Sequence, residues 1–154
     1  MFLKRARSEI DAAEILFITS DNKELKNRFL VNEESTFYSW VISHAYYSIF
    51  YCAKAMLLTK KVETIAPEVH KKTFNNFKEM FIDNGLMDMK LLLCYQYLII
   101  RAESLLEIYR IEKKKRGDFT YNTIPQANLS PAEESIKHAK EFFKHCNSYL
   151  LDSA

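Results

Sequence analysis

Glycine and proline are nearly missing, with two of the first and three of the second in 154 residues, where ordinary usage would give roughly ten and seven or eight. So few chain breakers predict few, long helices and no sheet. A long apolar run is missing as well. The stretch around Leu91–Leu93 and Leu98–Ile100 is interrupted by Gln96 and Arg101, far short of the ~20 residues a membrane-spanning helix needs. Ser8, Glu9, Asp11 and Glu14 follow Lys4, Arg5 and Arg7 where a secretion signal would place its apolar core, so a cytoplasmic location is expected. Cysteine is sparse: Cys52, Cys94 and Cys146 are an odd, widely spaced set with apolar neighbours, which suits buried thiols better than a disulfide framework. His44, His70, His138 and His145 show neither Cys-x-x-Cys nor paired-histidine spacing, so no metal and no cofactor is expected. Charge of one sign is not in excess either. A net charge of +2 is too small to mark a nucleic-acid binder through its overall field, and only local basic clusters can do so.

What the chain does have is 48% hydrophobic content, enough to bury the core of a single domain over residues 1–154. Leu3, Ala6, Ile10, Ala13 and Phe17 alternate at three and four and predict an amphipathic helix over 2–18. Residues 19–35 are polar and read as a connection or insertion in which Leu25, Phe29 and Leu30 allow a short helix. From 36 to 60 nearly every side is apolar, which predicts a central helix. Pro67 reads as the first-turn proline of a third helix over 66–84, ended by Gly85. Leu92, Tyr95, Ile99, Ala102, Leu106 and Tyr109 predict a long fourth helix over 87–116, closed by Gly117. A linker from Phe119 to Leu129 is long enough to be functional. Ser130, Pro131 and Glu133 then read as a capping box opening a fifth helix over 131–151.

His-Ala-Tyr-Tyr-Ser-Ile-Phe-Tyr-Cys-Ala-Lys-Ala-Met-Leu-Leu, His44 to Leu58, resembles the signature helix of HEPN-domain proteins, specifically the small stand-alone branch. His70 with Phe74, Phe77, Phe81 and Gly85 is similar to that branch's next segment. Arg116-Gly117-Asp118-Phe119 looks like its Arg-x-x-Asp-Tyr turn, and Ala132, Ala139 and Phe142 sit as in its closing helix. Three motifs in order and at the right spacing form a joint signal more specific than any one of them. The resemblance implies an all-α bundle of four to five helices, commonly a homodimer. It also implies relatives that are metal-independent ribonucleases, often toxins paired with a nucleotidyltransferase-type antitoxin, and others with no known activity. In the ribonucleases an arginine holds the phosphate while a histidine four to six residues later moves the proton of the attacking 2′-hydroxyl.

Counting forward from Arg116, Gly117, Asp118, Phe119, Thr120, Tyr121, Asn122 and Thr123 include no histidine, and Arg101 and Arg110 fail the same test. The expected function is therefore a non-catalytic or weakly active module that binds a nucleotide, RNA or a protein partner. A metal-independent ribonuclease toxin is the alternative, and a structural helical adaptor the second. Arg116, Asp118 and Tyr121 are the candidate catalytic residues, and Lys114, Lys115, Arg116, His44 and His70 the candidate ligand-binding residues. The competing readings are plainer. The lysines complement a helix C-terminus, His44 is a hydrogen-bonded core histidine, Tyr46, Tyr47 and Tyr51 are core, and His138 and His145 mark an exposed face. Leu91, Leu98 and Leu105, beside the Leu92–Tyr109 stripe, offer the surplus apolar surface expected to meet a second copy.

Overall fold

The computed structural model describes residues 1–115 and 129–152, the side chains of 108–115 excepted. It holds six helices and no strand among the described residues: α1 (Phe2–Asp21), α2 (Lys23–Arg28), α3 (Tyr38–Thr59), α4 (Val69–Phe77, continued by a π turn over Lys78–Ile82), α5 (Met89–Lys115) and α6 (Leu129–Asp152). The bundle is arranged around α3, which packs against α1, α4, α5 and α6. Its apolar character on nearly all sides explains this, since Val41, Ile42, Ala45, Ile49, Cys52, Ala53, Met56 and Leu57 are all at most 2% exposed. The main core joins these to Ile10 of α1, Phe77 and Phe81 of α4 and its π turn, Leu91, Tyr95 and Leu98 of α5, and Phe142 and Cys146 of α6. A second cluster gathers Ala13, Tyr38, Val41, Ile42, Leu105 and Ala132. Cys52, Cys94 and Cys146 are buried and free. No helix among the described residues is long and apolar enough to cross a membrane.

The polar segment 19–35 is more ordered than its composition predicts, because its polar groups bond to main chain. Thr19 and Ser20 extend α1 by donating their hydroxyls to Ile15 and Leu16 carbonyls at 2.7 and 2.8 Å. Ser20 Oγ also accepts the Phe37 N–H at 2.8 Å, and Tyr38 donates its hydroxyl to Asp21 at 2.6 Å, tying the end of α1 to the start of α3. Asn22 caps α2 by accepting the Leu25 N–H at 3.0 Å. Lys26 is 4% exposed, and its ammonium donates to the Glu33 carbonyl at 2.8 Å.

Two predicted helix starts are corrected. The third helix begins at Val69, with Glu68 (φ +57°) as N-cap, so Pro67 lies ahead of it. Buried Thr64 is the reason: its hydroxyl pairs with that of Thr73 at 2.6 Å and its carbonyl accepts Lys54 Nζ at 3.0 Å, which holds the chain before Pro67 out of helix. The last helix begins at Leu129, so Ser130 and Pro131 sit inside its first turn. N–H groups of a first turn need no intrahelical partner, so proline is tolerated there without being the first residue. Gly85, at φ +69°, ends the π turn as predicted, donating its N–H to the Ile82 carbonyl at 2.9 Å. Gly117 and the linker up to 128 lie outside the described residues.

Candidate functional site

Tyrosines 46, 47 and 51 form a lateral face of α3 and are not core: Tyr47 is 40% exposed, and Tyr46 and Tyr51 are half-buried. The correction follows from helix geometry. Val41, Ala45, Ile49, Cys52 and Met56 take the inward positions, which turns 44, 47, 51 and 54 outward at the three- and four-residue spacing of one helix side. Tyr47 and Tyr51 stack with ring centres 6.2 Å apart at 27°, and Phe2 of α1 stacks on Tyr51 at 6.1 Å and 12°. His70, in the first turn of α4, closes the other side, with its ring 4.3 Å from Phe50, 5.6 Å from Tyr46 and 6.0 Å from Tyr47. Two cations border the rings: the Arg5 guanidinium lies 4.8 Å over Tyr51 and the Lys54 ammonium 4.9 Å over Phe2. Exposed Lys71 and Lys72 follow His70 directly.

His70 Nδ1 meets the Tyr46 hydroxyl at 2.9 Å; the hydroxyl donates to a bare nitrogen or accepts from a protonated one. Burial, with Lys54 nearby, lowers the His70 pKa, while burial, then Tyr47 and Glu103, push Tyr46 up to about 12. The face therefore presents neutral rings between fixed cations. His44, one turn before Tyr47, holds Glu9 of α1 through Nδ1 at 2.6 Å and is half-buried. That is the hydrogen-bonded histidine expected from its place in an aromatic helix, although it sits on the outer side of α3. Lys114 and Lys115 end α5, but their side chains lie outside the described residues, as do Arg116, Asp118 and Tyr121 altogether. His44 and His70 thus flank one aromatic face, the histidines on α3 and α4 being brought to its two ends by packing.

One cluster escaped the sequence. His138 is half-buried, unlike the exposed position expected of it, with Nδ1 3.2 Å from Cys94 Sγ and its ring 4.7 Å from that of Tyr97. His145 is exposed, as expected. Glu141 completes a group in which one ligand atom each from Cys94, His138 and Glu141 lies within 4.8 Å of the others. The signal was present as a histidine and a glutamate three apart on α6, but their partner is on another helix, which no local spacing reveals.

An all-α bundle built around an aromatic Tyr-Tyr helix, with histidines at its rim, defines the class. A HEPN domain model matches residues 21–149, a span that includes most of the polar segment, and the chain belongs to that family. The chain is 40% identical over 57 residues, 37% of its own length and 37% of the relative's, to a protein of Methanocaldococcus jannaschii named as a candidate toxin. The match thus spans little more than a third of that relative. No solved structure matches the chain.

Proposed function

We propose that this protein is a toxin-type HEPN module that binds single-stranded RNA or a nucleotide without cutting it, stacking bases on the Tyr47–Tyr51–His70 face. The observation that carries this reading is the exposed aromatic stack set between cations. Bases stack on aromatic side chains whatever their sequence, while Arg5, Lys54, Lys71 and Lys72 neutralise phosphates alongside. The family membership and the resemblance to a candidate toxin support the toxin-type assignment. Arg116, Lys114 and Lys115 extend the phosphate contact on this reading, with Asp118 and Tyr121 beside them, and the absence of a histidine in register after Arg116 removes the usual general base. A second copy of the chain and a nucleotidyltransferase-type antitoxin are the protein partners it expects.

The test is a titration with a single-stranded RNA oligonucleotide and with ATP, run beside an RNA-cleavage assay. Tyr47→Ala removes an exposed ring and leaves the core untouched. A lost stacking contact of ~1–3 kcal/mol corresponds to weakening by roughly five- to a hundredfold. Arg5→Ala and Arg116→Ala should weaken binding more steeply at low salt than at high. RNA affinity unchanged in Tyr47→Ala defeats the aromatic face, and metal-independent cleavage lost in Arg116→Ala favours the ribonuclease reading.

A further inference from the structure

Cys94 is 2% exposed on α5, with His138 Nδ1 at 3.2 Å and a Glu141 carboxylate oxygen within 4.8 Å of both atoms. Tetrahedral zinc with its sulfur at ~2.3 Å and its nitrogen and oxygen at ~2.0–2.2 Å needs ligand atoms roughly 3.3–3.8 Å apart. The observed group reaches that arrangement by side-chain rotation alone. Thiolate, imidazole and carboxylate are together a borderline-soft set, suited to zinc rather than to calcium or magnesium. The charges also suit it, since a thiolate and a carboxylate neutralise a divalent ion, which makes ionisation of a buried cysteine tolerable. The imidazole is already oriented. Tyr97, one turn after Cys94, packs its ring 4.7 Å from that of His138, and its own hydroxyl donates to Glu134 at 2.5 Å.

A cation occupies the mouth of the cluster. Lys90, one turn before Cys94, donates to Glu141 at 2.5 Å, with side chains 66% and 24% exposed respectively. The lysine occupies the position that lets the carboxylate wait ionised, and its exposed side chain can swing into water when a divalent ion replaces it. From this geometry we infer that Cys94, His138 and Glu141 form a zinc site that clips α5 to α6, with water as the fourth ligand. Binding proceeds with loss of the Cys94 thiol proton to solvent and displacement of the Lys90 ammonium from Glu141. The site is independent of the aromatic face, so neither proposal depends on the other.

The experiment uses the full chain, freed of metal by chelator and returned to buffer. Zinc alone is titrated calorimetrically, and cobalt is then used as a spectroscopic stand-in. The expected result is one ion per chain, a thiolate-to-cobalt charge-transfer band in the near ultraviolet, and visible bands of tetrahedral intensity. Cys94→Ser should abolish the charge-transfer band while Cys52 and Cys146 remain, and His138→Gln should weaken zinc binding by about ten- to a hundredfold or more. Lys90→Met removes only an exposed competitor and should tighten zinc binding severalfold. This variant keeps the test decisive if the buried Cys94→Ser chain fails to fold. Zinc binding that is undetectable, a charge-transfer band that survives in folded Cys94→Ser, or an affinity unchanged or weakened in Lys90→Met overturns the site.

Discussion

Tyr95 is fully buried, and its hydroxyl has no hydrogen-bond partner among the described residues. Burial, with smaller contributions from Tyr46 and Cys52, raises its pKa well above that of a free tyrosine. The ring is held without help from the oxygen, by Phe74 at 5.2 Å, Phe142 at 5.7 Å and Phe77 at 6.2 Å. An orphaned buried hydroxyl costs about 1–3 kcal/mol of desolvation. Tyr95→Phe should therefore stabilise the fold by ~1 kcal/mol, seen as a higher urea midpoint with an unchanged slope. A lower midpoint would mean that the oxygen is bonded. At this scale the sequence was least legible. Periodicity marked Tyr95 as inward, but which hydroxyl finds a partner depends on side chains from other helices, as the pairs His44–Glu9 and His138–Cys94 also show. Neither pair lies within one turn along the chain.

Among the elements, α3 and α5 were the most legible, because long periodic stretches constrain a helix strongly; α4 was the least. Its segment changes from α to π winding at Lys78, where the Asp83 N–H reaches back five residues to the Lys78 carbonyl at 2.9 Å. The wider turn lets the neighbours Phe81 and Ile82 both be buried, whereas a regular helix would splay them about 100° apart. A pattern search for the α period cannot see that change. Gly85 then reverses the chain at φ +69°, and nothing lies within 4 Å of where a Cβ would stand. The cost of Gly85→Ala is thus purely conformational, about 1–2 kcal/mol. It should lower the thermal midpoint without altering the circular dichroism of the folded state.

For the whole molecule, the apolar surplus expected on α5 lies elsewhere than the sequence placed it. Leu91, Leu98 and Leu105 are buried within the chain, while Leu93, Ile100 and Leu106 are 58%, 61% and 56% exposed. Spacing finds an apolar residue but not which side the other helices leave open. If a second copy covers this side, Leu93→Glu with Ile100→Glu should give a folded monomer by light scattering where the natural chain is a dimer. The natural chain running as a monomer would reject that pairing. Lys26 has a different kind of consequence. Its amine is sealed under the 22–37 segment and bonded to the Glu33 carbonyl, whereas its neighbours Lys23 and Arg28 are exposed. In brief amine acylation followed by peptide mass spectrometry, Lys23 should label at once and Lys26 only as that segment lifts. A single lysine then serves as a chemical clock for the opening of one part of the protein.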